Sequence, residues 1–255
     1  MFASYDKIIS IRDISLPGFP ERQEKASKAI TGILSGINAN TVWDIGCGSG
    51  EITNKLASKF LCRKFIGVDI SKKSLEIASK NSTKIPNINY KCTTINCIIP
   101  GNRQNEIVLS VGNTLIHFGE KKFGRWLGKL KKAKRLPAYI FIDFINDWDD
   151  IVKKGNDFQV CTHSINNKSF FLSGINTVRL GKRIVRELIV IEGNNSPKNK
   201  KFVTHIAPVE QFVDNTESYF VHLKNCRYSL VKEITYKHGY GTMKGTLWAK
   251  KNLKN

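Results

Sequence analysis

The chain has 255 residues, 41% of them hydrophobic and 24% charged, an ordinary globular composition with enough apolar material for one domain and an elaboration. No run approaches the roughly 20 apolar residues of a membrane-spanning helix, and Met1-Phe2-Ala3-Ser4-Tyr5-Asp6 lacks the basic-then-apolar pattern of a secretory leader, so a cytoplasmic protein is expected. Lys and Arg number 41 against 21 acidic residues, net +20, which suits either an anionic partner such as nucleic acid or the Lys-, Asn- and Ile-rich coding of an AT-rich genome; the spread of the charges along the chain favours the second.

Residues 21–36 read as a helix after Pro20, with Ala26, Ala29, Ile30, Ile33 and Leu34 as its apolar stripe and Gly36 at its end. An alternation follows. Residues 41–45 form a short apolar strand, 51–60 a helix, 64–70 a second strand, and Ser71 caps a helix through about Asn81. Ile88 to Ile95 is a third strand and Glu106 to Val111 a fourth. A basic helix spans 119–134, its Phe123, Trp126, Leu127 and Leu130 spaced for one buried face, and Pro137 to Phe144 is a fifth strand. Strands separated by single helices imply crossovers, hence an α/β, doubly wound, mostly parallel Rossmann-like sheet.

After about residue 150 the pattern changes to strand-like runs at 169–172, 183–191 and 201–206 with no helix between them, which predicts an antiparallel β extension inserted after the fifth strand. A helix near 208–223 and strands at 228–236 and 243–250 close the chain. The expected organisation is an N-terminal helical cap over 1–40, a core over 41–150 and 207–255, and the extension over 151–206. Cys47, Cys62, Cys92, Cys97, Cys161 and Cys226 offer no CxxC pair and no neighbouring His set, so no metal site is expected; they read as reduced and structural, several as small buried hydrophobes.

The most informative stretch is Asp44-Ile45-Gly46-Cys47-Gly48-Ser49-Gly50, where a strand enters a glycine-rich turn and then a helix. Glycines at alternate positions clear space for a ligand across the turn, and the helix start offers free amides. A dinucleotide fingerprint would place its third glycine at Glu51, where a carboxylate would repel a pyrophosphate, and no Gly-Lys-Ser/Thr follows for a nucleotide triphosphate. Asp69, at the tip of the second strand, is placed to accept both hydroxyls of an adenosine ribose, against the plainer reading that it only caps the next helix.

D-I-G-C-G-S-G followed by G-V-D-I-S resembles the first two motifs of the class I S-adenosylmethionine-dependent methyltransferases, over most of residues 41–145. The resemblance implies S-adenosylmethionine as cofactor: Gly46, Cys47, Gly48 and Gly50 pass its methionine part, Asp44 sits near its amino group, Asp69 binds the ribose and Ile70 packs on the adenine. Asn96 or Thr94 matches the polar position that meets the adenine amino group. The fourth strand ends in Gly112-Asn113-Thr114-Leu115-Ile116-His117-Phe118, without the proline-aromatic segment that stacks a flipped base. It is similar instead to the Gly-Asn-Ser motif of glycine and sarcosine N-methyltransferases and their small-molecule relatives, and Gly112 joins the cofactor-binding set. Residues 140–148 resemble their I-D-x-R-N-aromatic segment, with one departure: the arginine that grips the amino-acid carboxylate falls on Ile145. That loses a bidentate clamp and argues against glycine as substrate. Arg179, Arg183 or Arg186 are candidate replacements, and by family habit Tyr5 and Arg12 could fold over the cofactor.

The implied function is methyl transfer from S-adenosylmethionine to a small-molecule acceptor, an amine before a hydroxyl. Asn113 is a candidate to orient the nucleophile through its side-chain carbonyl, against a role as a turn residue. His117 is the candidate base, against packing on Phe118, which is the favoured account. The alternative is an RNA or protein methyltransferase that docks through its basic surface; a non-catalytic scaffold comes third. Homo-oligomerisation stays open.

Overall fold

Thr41–Ile45 (β1) and Glu106–Ser110 (β4) are buried along their whole length, as central parallel strands covered on both faces must be. In the computed structural model, residues 19–100, 105–146, 161–165, 168–180, 183–194, 202–212, 216–238 and 241–251 are described, with side chains described for 23–100, 105–146, 216–237 and 242–251. Lys64–Asp69 (β2) and Ile88–Cys92 (β3) extend the sheet on one side of β1; Tyr139–Ile145 (β5) extends it beyond β4, all in parallel. Gly241–Lys250 (β11) then pairs antiparallel with β5 and Tyr228–His238 (β10) with β11, giving the order β3-β2-β1-β4-β5-β11-β10.

Helices cover both faces. Phe19–Ser35 (α1) and Glu51–Lys59 (α2) share one core with Val42, Phe65, Leu109, Phe141 and Met243 through Ile30, Leu34 and Leu56. Lys72–Asn81 (α3) starts at Ser71, whose hydroxyl accepts the Ser74 N–H at 3.1 Å, the expected cap. Glu120–Lys132 (α4) and Thr216–Asn225 (α5) cover the other face, where Phe123, Trp126, Tyr219, Phe220 and Trp248 pack in an aromatic cluster with ring centroids 5.1–5.9 Å apart. The four apolar residues expected to face inward from α4 are buried, and Lys121, Lys122, Arg125, Lys129, Lys131 and Lys132 are exposed.

A second sheet, Cys161–Ile165 (β6), Lys168–Leu180 (β7), Arg183–Asn194 (β8) and Phe202–Phe212 (β9), is antiparallel throughout. β9 packs against the 3-10 turn Thr114–His117 that follows β4, so this extension reaches the carboxyl end of the main sheet.

Some elements differ from expectation. The extension runs to Phe212 and the helix after it starts at Thr216, not near 208, because β8 supplies a ladder partner as far as Phe212. Pro208 suits a helix start, yet an edge strand tolerates its missing N–H, and it sits opposite Glu187. The third strand ends at Cys92, and Ile95–Cys97 forms a 3-10 turn. β6 has no counterpart in the sequence reading. Cys62, Cys92 and Cys97 are exposed rather than buried; Cys226 is buried, and the side chain of Cys161 lies outside the described residues. Among the described residues no helix is long and apolar enough to cross a membrane.

Candidate active site

β1 and β4 lie side by side, and the chain leaves them in opposite directions, toward β2 and toward β5. The crevice at their carboxyl ends is the topological switch point, where open α/β sheets bind ligands. Two turns border it: Gly46–Gly50 after β1 and Val111–Asn113 after β4. The N–H groups of Gly46 and Cys47 donate to the Val68 carbonyl at 2.7 and 3.1 Å, tying the first turn to β2.

The glycines divide by what surrounds them. A Cβ on Gly46 would strike the Thr114 side chain, and one on Gly50 would strike the Tyr90 hydroxyl and Ala78; both also hold a positive φ, near +73° and +76°. These two let the turn close against its neighbours. A Cβ on Gly48 or Gly112 would meet nothing within 4 Å. Those two have open space beside them, on the two turns that border the switch point.

Asp69 joins the tip of β2 to the turn. Its Oδ2 accepts the Gly48 N–H at 2.9 Å and its Oδ1 the Ser71 N–H at 2.9 Å, so the carboxylate orientation is fixed from both sides. Asp44 is 3% exposed and its Oδ2 accepts the Thr53 hydroxyl at 2.6 Å. Burial pushes its carboxyl up to about 6, opposed by the Thr53 bond and reinforced by the charges of Asp69 and Asp143. Burial likewise holds the Cys47 thiol well above its ordinary range, with Asp44 and Asp69 adding to the effect, so Cys47 lines the turn as a neutral group.

Across the crevice, Asp143 on β5 is fully buried and accepts three donors: the Gly112 N–H at 3.0 Å, the Asn113 N–H at 2.8 Å and the Tyr236 hydroxyl. Burial raises it to about 6 against these bonds. Asn113 adopts φ 64° and is 4% exposed. Its Oδ1 accepts the Ile145 N–H at 3.3 Å, and its Nδ2 has no partner among the described residues. The opposite amide orientation would set two donors against each other.

The structure thus brings Asp44, Gly46, Cys47, Gly48, Gly50, Asp69, Gly112 and Asn113 to one end of the sheet, with Ile70 half-buried directly after Asp69. Asn96 and Thr94 are exposed at the turn after β3. His117 is half-buried at the end of the 3-10 turn that β9 packs against. Ile145 packs against both cores, so the position of the lost arginine is filled by an apolar side chain. Arg179, Arg183 and Arg186 lie on β7 and β8, with side chains outside the described residues, as are Tyr5 and Arg12 entirely.

Sequence reading gave Asp143 no role beyond its place in the 140–148 segment, and passed over Tyr236, Thr53 and Tyr90. The first had a signal: Ile140-Phe141-Ile142-Asp143-Phe144-Ile145 places one carboxylate inside a buried apolar strand, which needs donors around it. Thr53 comes from the helix that follows the turn, whereas Tyr236 and Tyr90 are brought in by packing between distant segments. Tyr90, for example, bonds Asn54 Oδ1 at 2.7 Å and closes the space over Gly50 and Gly67.

Residues 42–135 match the family described as a methyltransferase domain. No curated protein matches the chain by sequence. Among solved structures, the chain is similar to an S-adenosylmethionine-dependent methyltransferase from Clostridium acetobutylicum, with TM-score 0.68 and 13% identity over 96% of this chain and 98% of that one. It is also similar to a sugar N-methyltransferase from Streptoalloteichus, with TM-score 0.66 and 11% identity over 91% and 90% of the two chains. A third is an amino pentose methyltransferase from Micromonospora echinaspora, solved with S-adenosylmethionine bound, with TM-score 0.62 and 12% identity over 88% and 91%. At such identities these likenesses establish the fold. Residues 42–135 thus match a methyltransferase domain, within a chain folded as the S-adenosylmethionine-dependent methyltransferases are.

Proposed function

We propose that the chain transfers the methyl group of S-adenosylmethionine to a small-molecule amine. The observation that carries this reading is the crevice itself. Gly48 and Gly112 leave it free of side chains from both sides, while Asp69, held by two backbone amides, stands at its rim. In this reading Asp69 takes the ribose hydroxyls, Ile70 covers the adenine, and Asn96 or Thr94 meets its amino group. Asp44 faces the cofactor amino group, with Gly46, Cys47, Gly48, Gly50 and Gly112 along its path. The bound cofactor supplies a methyl group already activated on a sulfonium.

What remains for the protein is positioning, since displacement needs the nucleophile in line at about 3 Å and little else. Asn113 and His117 stand on the acceptor side, after β4. The Asn113 carbonyl already receives the Ile145 N–H and has one lone pair left for an amine proton. His117 is the candidate to take the proton released. The similar solved structures include a sugar N-methyltransferase and an amino pentose methyltransferase, which supports an amine on a small molecule. Ile145 in place of an arginine argues against glycine as the acceptor.

Labelled methyl transfer to a panel of amino sugars, other amines, amino acids, phenols and RNA tests the proposal. Incorporation into a small amine is expected; incorporation into RNA alone would overturn the acceptor assignment. Asp69→Ala is expected to weaken cofactor binding by about 1–3 kcal/mol in calorimetry, and unchanged affinity would remove Asp69 from the site.

A further inference from the structure

We propose that Tyr236 and Asp143 are a positioning pair that holds the Gly112–Asn113 turn against the cofactor, so that the carboxyl-terminal hairpin takes part in the site. The proposal rests on the cofactor reading above. Gly112 and Asn113 hold consecutive positive φ values, 75° and 64°, and the second is not a glycine. Such a turn is strained and needs its surroundings to hold it. Both of its amides donate to the two oxygens of one carboxylate, Asp143.

That carboxylate sits in an apolar core and would be severely under-solvated with two backbone donors alone. The third donor comes from β10, two strands away in the sheet. The strand between carries Gly245 opposite Asp143. A Cβ there would strike the Phe141 ring, so the crowding beside the pair tolerates only glycine. A packing role on β10 would be served by a phenylalanine; the hydroxyl of a tyrosine buried among apolar groups is favourable only because Asp143 receives it.

The pair predicts a pH signature that packing alone would not give. The titratable groups near Asp143 are the neutral Tyr236 phenol from β10, which bonds it, and Asp44 from β1, whose carboxyl feels the charges of Asp143 and Asp69. α1 contributes Ala26, Ile30, Ile33 and Leu34 to this core, and its buried polar residue Ser27 does not titrate. An ionised Asp143 accepts both turn amides, whereas protonation puts a donor where an acceptor is needed. Burial already holds Asp143 at about 6, and the phenol opposes that rise more than the two backbone amides do.

Calorimetric titration of the full chain with S-adenosylhomocysteine, from about pH 5 to about pH 9, tests this. Wild-type affinity is expected to fall as pH drops through roughly 6. In Tyr236→Phe the falling limb moves up by about one pH unit, with affinity restored to within about twofold at the alkaline end. Asp143→Asn lowers affinity and flattens the contribution of this carboxyl, so adding Tyr236→Phe to it moves nothing further. Asp44 titrates in the same range but is untouched by Tyr236→Phe. If Asp143→Asn does not fold by circular dichroism, the single Tyr236→Phe limb decides. An unmoved limb, or a loss uniform across pH, overturns the pair while leaving the cofactor reading intact. No heat with the wild type at any pH overturns both.

Discussion

Replacing Asp44 by asparagine separates what the ionised carboxylate does to the fold from what it does for the cofactor. Burial, with Asp69 and Asp143 nearby, raises this carboxyl from 3.8 to about 6. The unfolded chain therefore releases this proton first as pH rises. Between about pH 4 and about pH 6 the folded state binds more protons than the unfolded one, so stability declines with rising pH across that window and stays at the lower level above it. A shift of about two pH units corresponds to about 3 kcal/mol of strain at neutral pH. An asparagine keeps the shape, accepts the Thr53 hydroxyl through its carbonyl, and carries no charge. Asp44→Asn is thus expected to raise Tm at about pH 7.5 by about 5–10 °C, a gain that fades toward about pH 4. S-adenosylmethionine affinity should fall by about 10- to 100-fold, as expected when a charged hydrogen bond to its amino group is lost. Scanning fluorimetry across pH and calorimetry at neutral pH give the two readings. A variant less stable at neutral pH, or equally stabilised at about pH 4, would refute the assignment of Asp44 as a strained, ionised group.

Gly67 on β2 and Gly48 in the turn after β1 should divide their losses differently between stability and binding. Gly67→Ala puts a methyl into the Tyr90 ring and 3.0 Å from the Cys47 sulfur inside β2, so an overpacking loss of about 2 kcal/mol is expected in urea unfolding. Gly48→Ala meets no protein atom; about 1 kcal/mol of backbone strain at φ +56° is expected, with a larger loss in cofactor affinity because the methyl enters the crevice. Equal effects on stability and binding in both variants would contradict the division of the glycines. Trp126→Ala removes the largest buried side chain of α4 and its bond to the Ile98 carbonyl, and should destabilise by about 3–5 kcal/mol. A shift under about 1 kcal/mol would mean that α4 is not held by that face.

The parallel half of the sheet was legible because each of its signals is local. The apolar run 41–45, the glycine turn, the Ser71 cap and the 3-1-3 spacing from Phe123 to Leu130 each specify an element within a few residues. Elements set by a distant partner were not. β9 continues through Pro208 because β8 lies beside it, against the preference of the segment itself. The site divides the same way. Asp44, Asp69 and the glycines sit at strand ends that the sequence announces, whereas the Asp143–Tyr236 contact joins residues 93 apart through two strand pairings. Asn113 was found by its motif, but the engagement of its carbonyl by Ile145 depends on where β5 ends.

The carboxylates also bear on which ligand the crevice can accept. In a chain of net charge +20, the switch point gathers Asp44, Asp69 and Asp143; burial raises Asp44 and Asp143, and the charges of the other two raise Asp44 further. Repulsion of this kind inside a low-dielectric site is relieved by a cation and worsened by an anion. A pyrophosphate would meet these groups, and Glu51 at the start of α2, with its own charge. S-adenosylmethionine, with an ammonium and a sulfonium against one carboxylate, is a net cation, and the proposed function has its ribose hydroxyls donate to Asp69. A neutral residue at position 44 removes both the burial cost of the charge and its repulsion by Asp69 and Asp143, which is why it should make the fold more stable, while removing the charge that the proposed function assigns to the cofactor amino group.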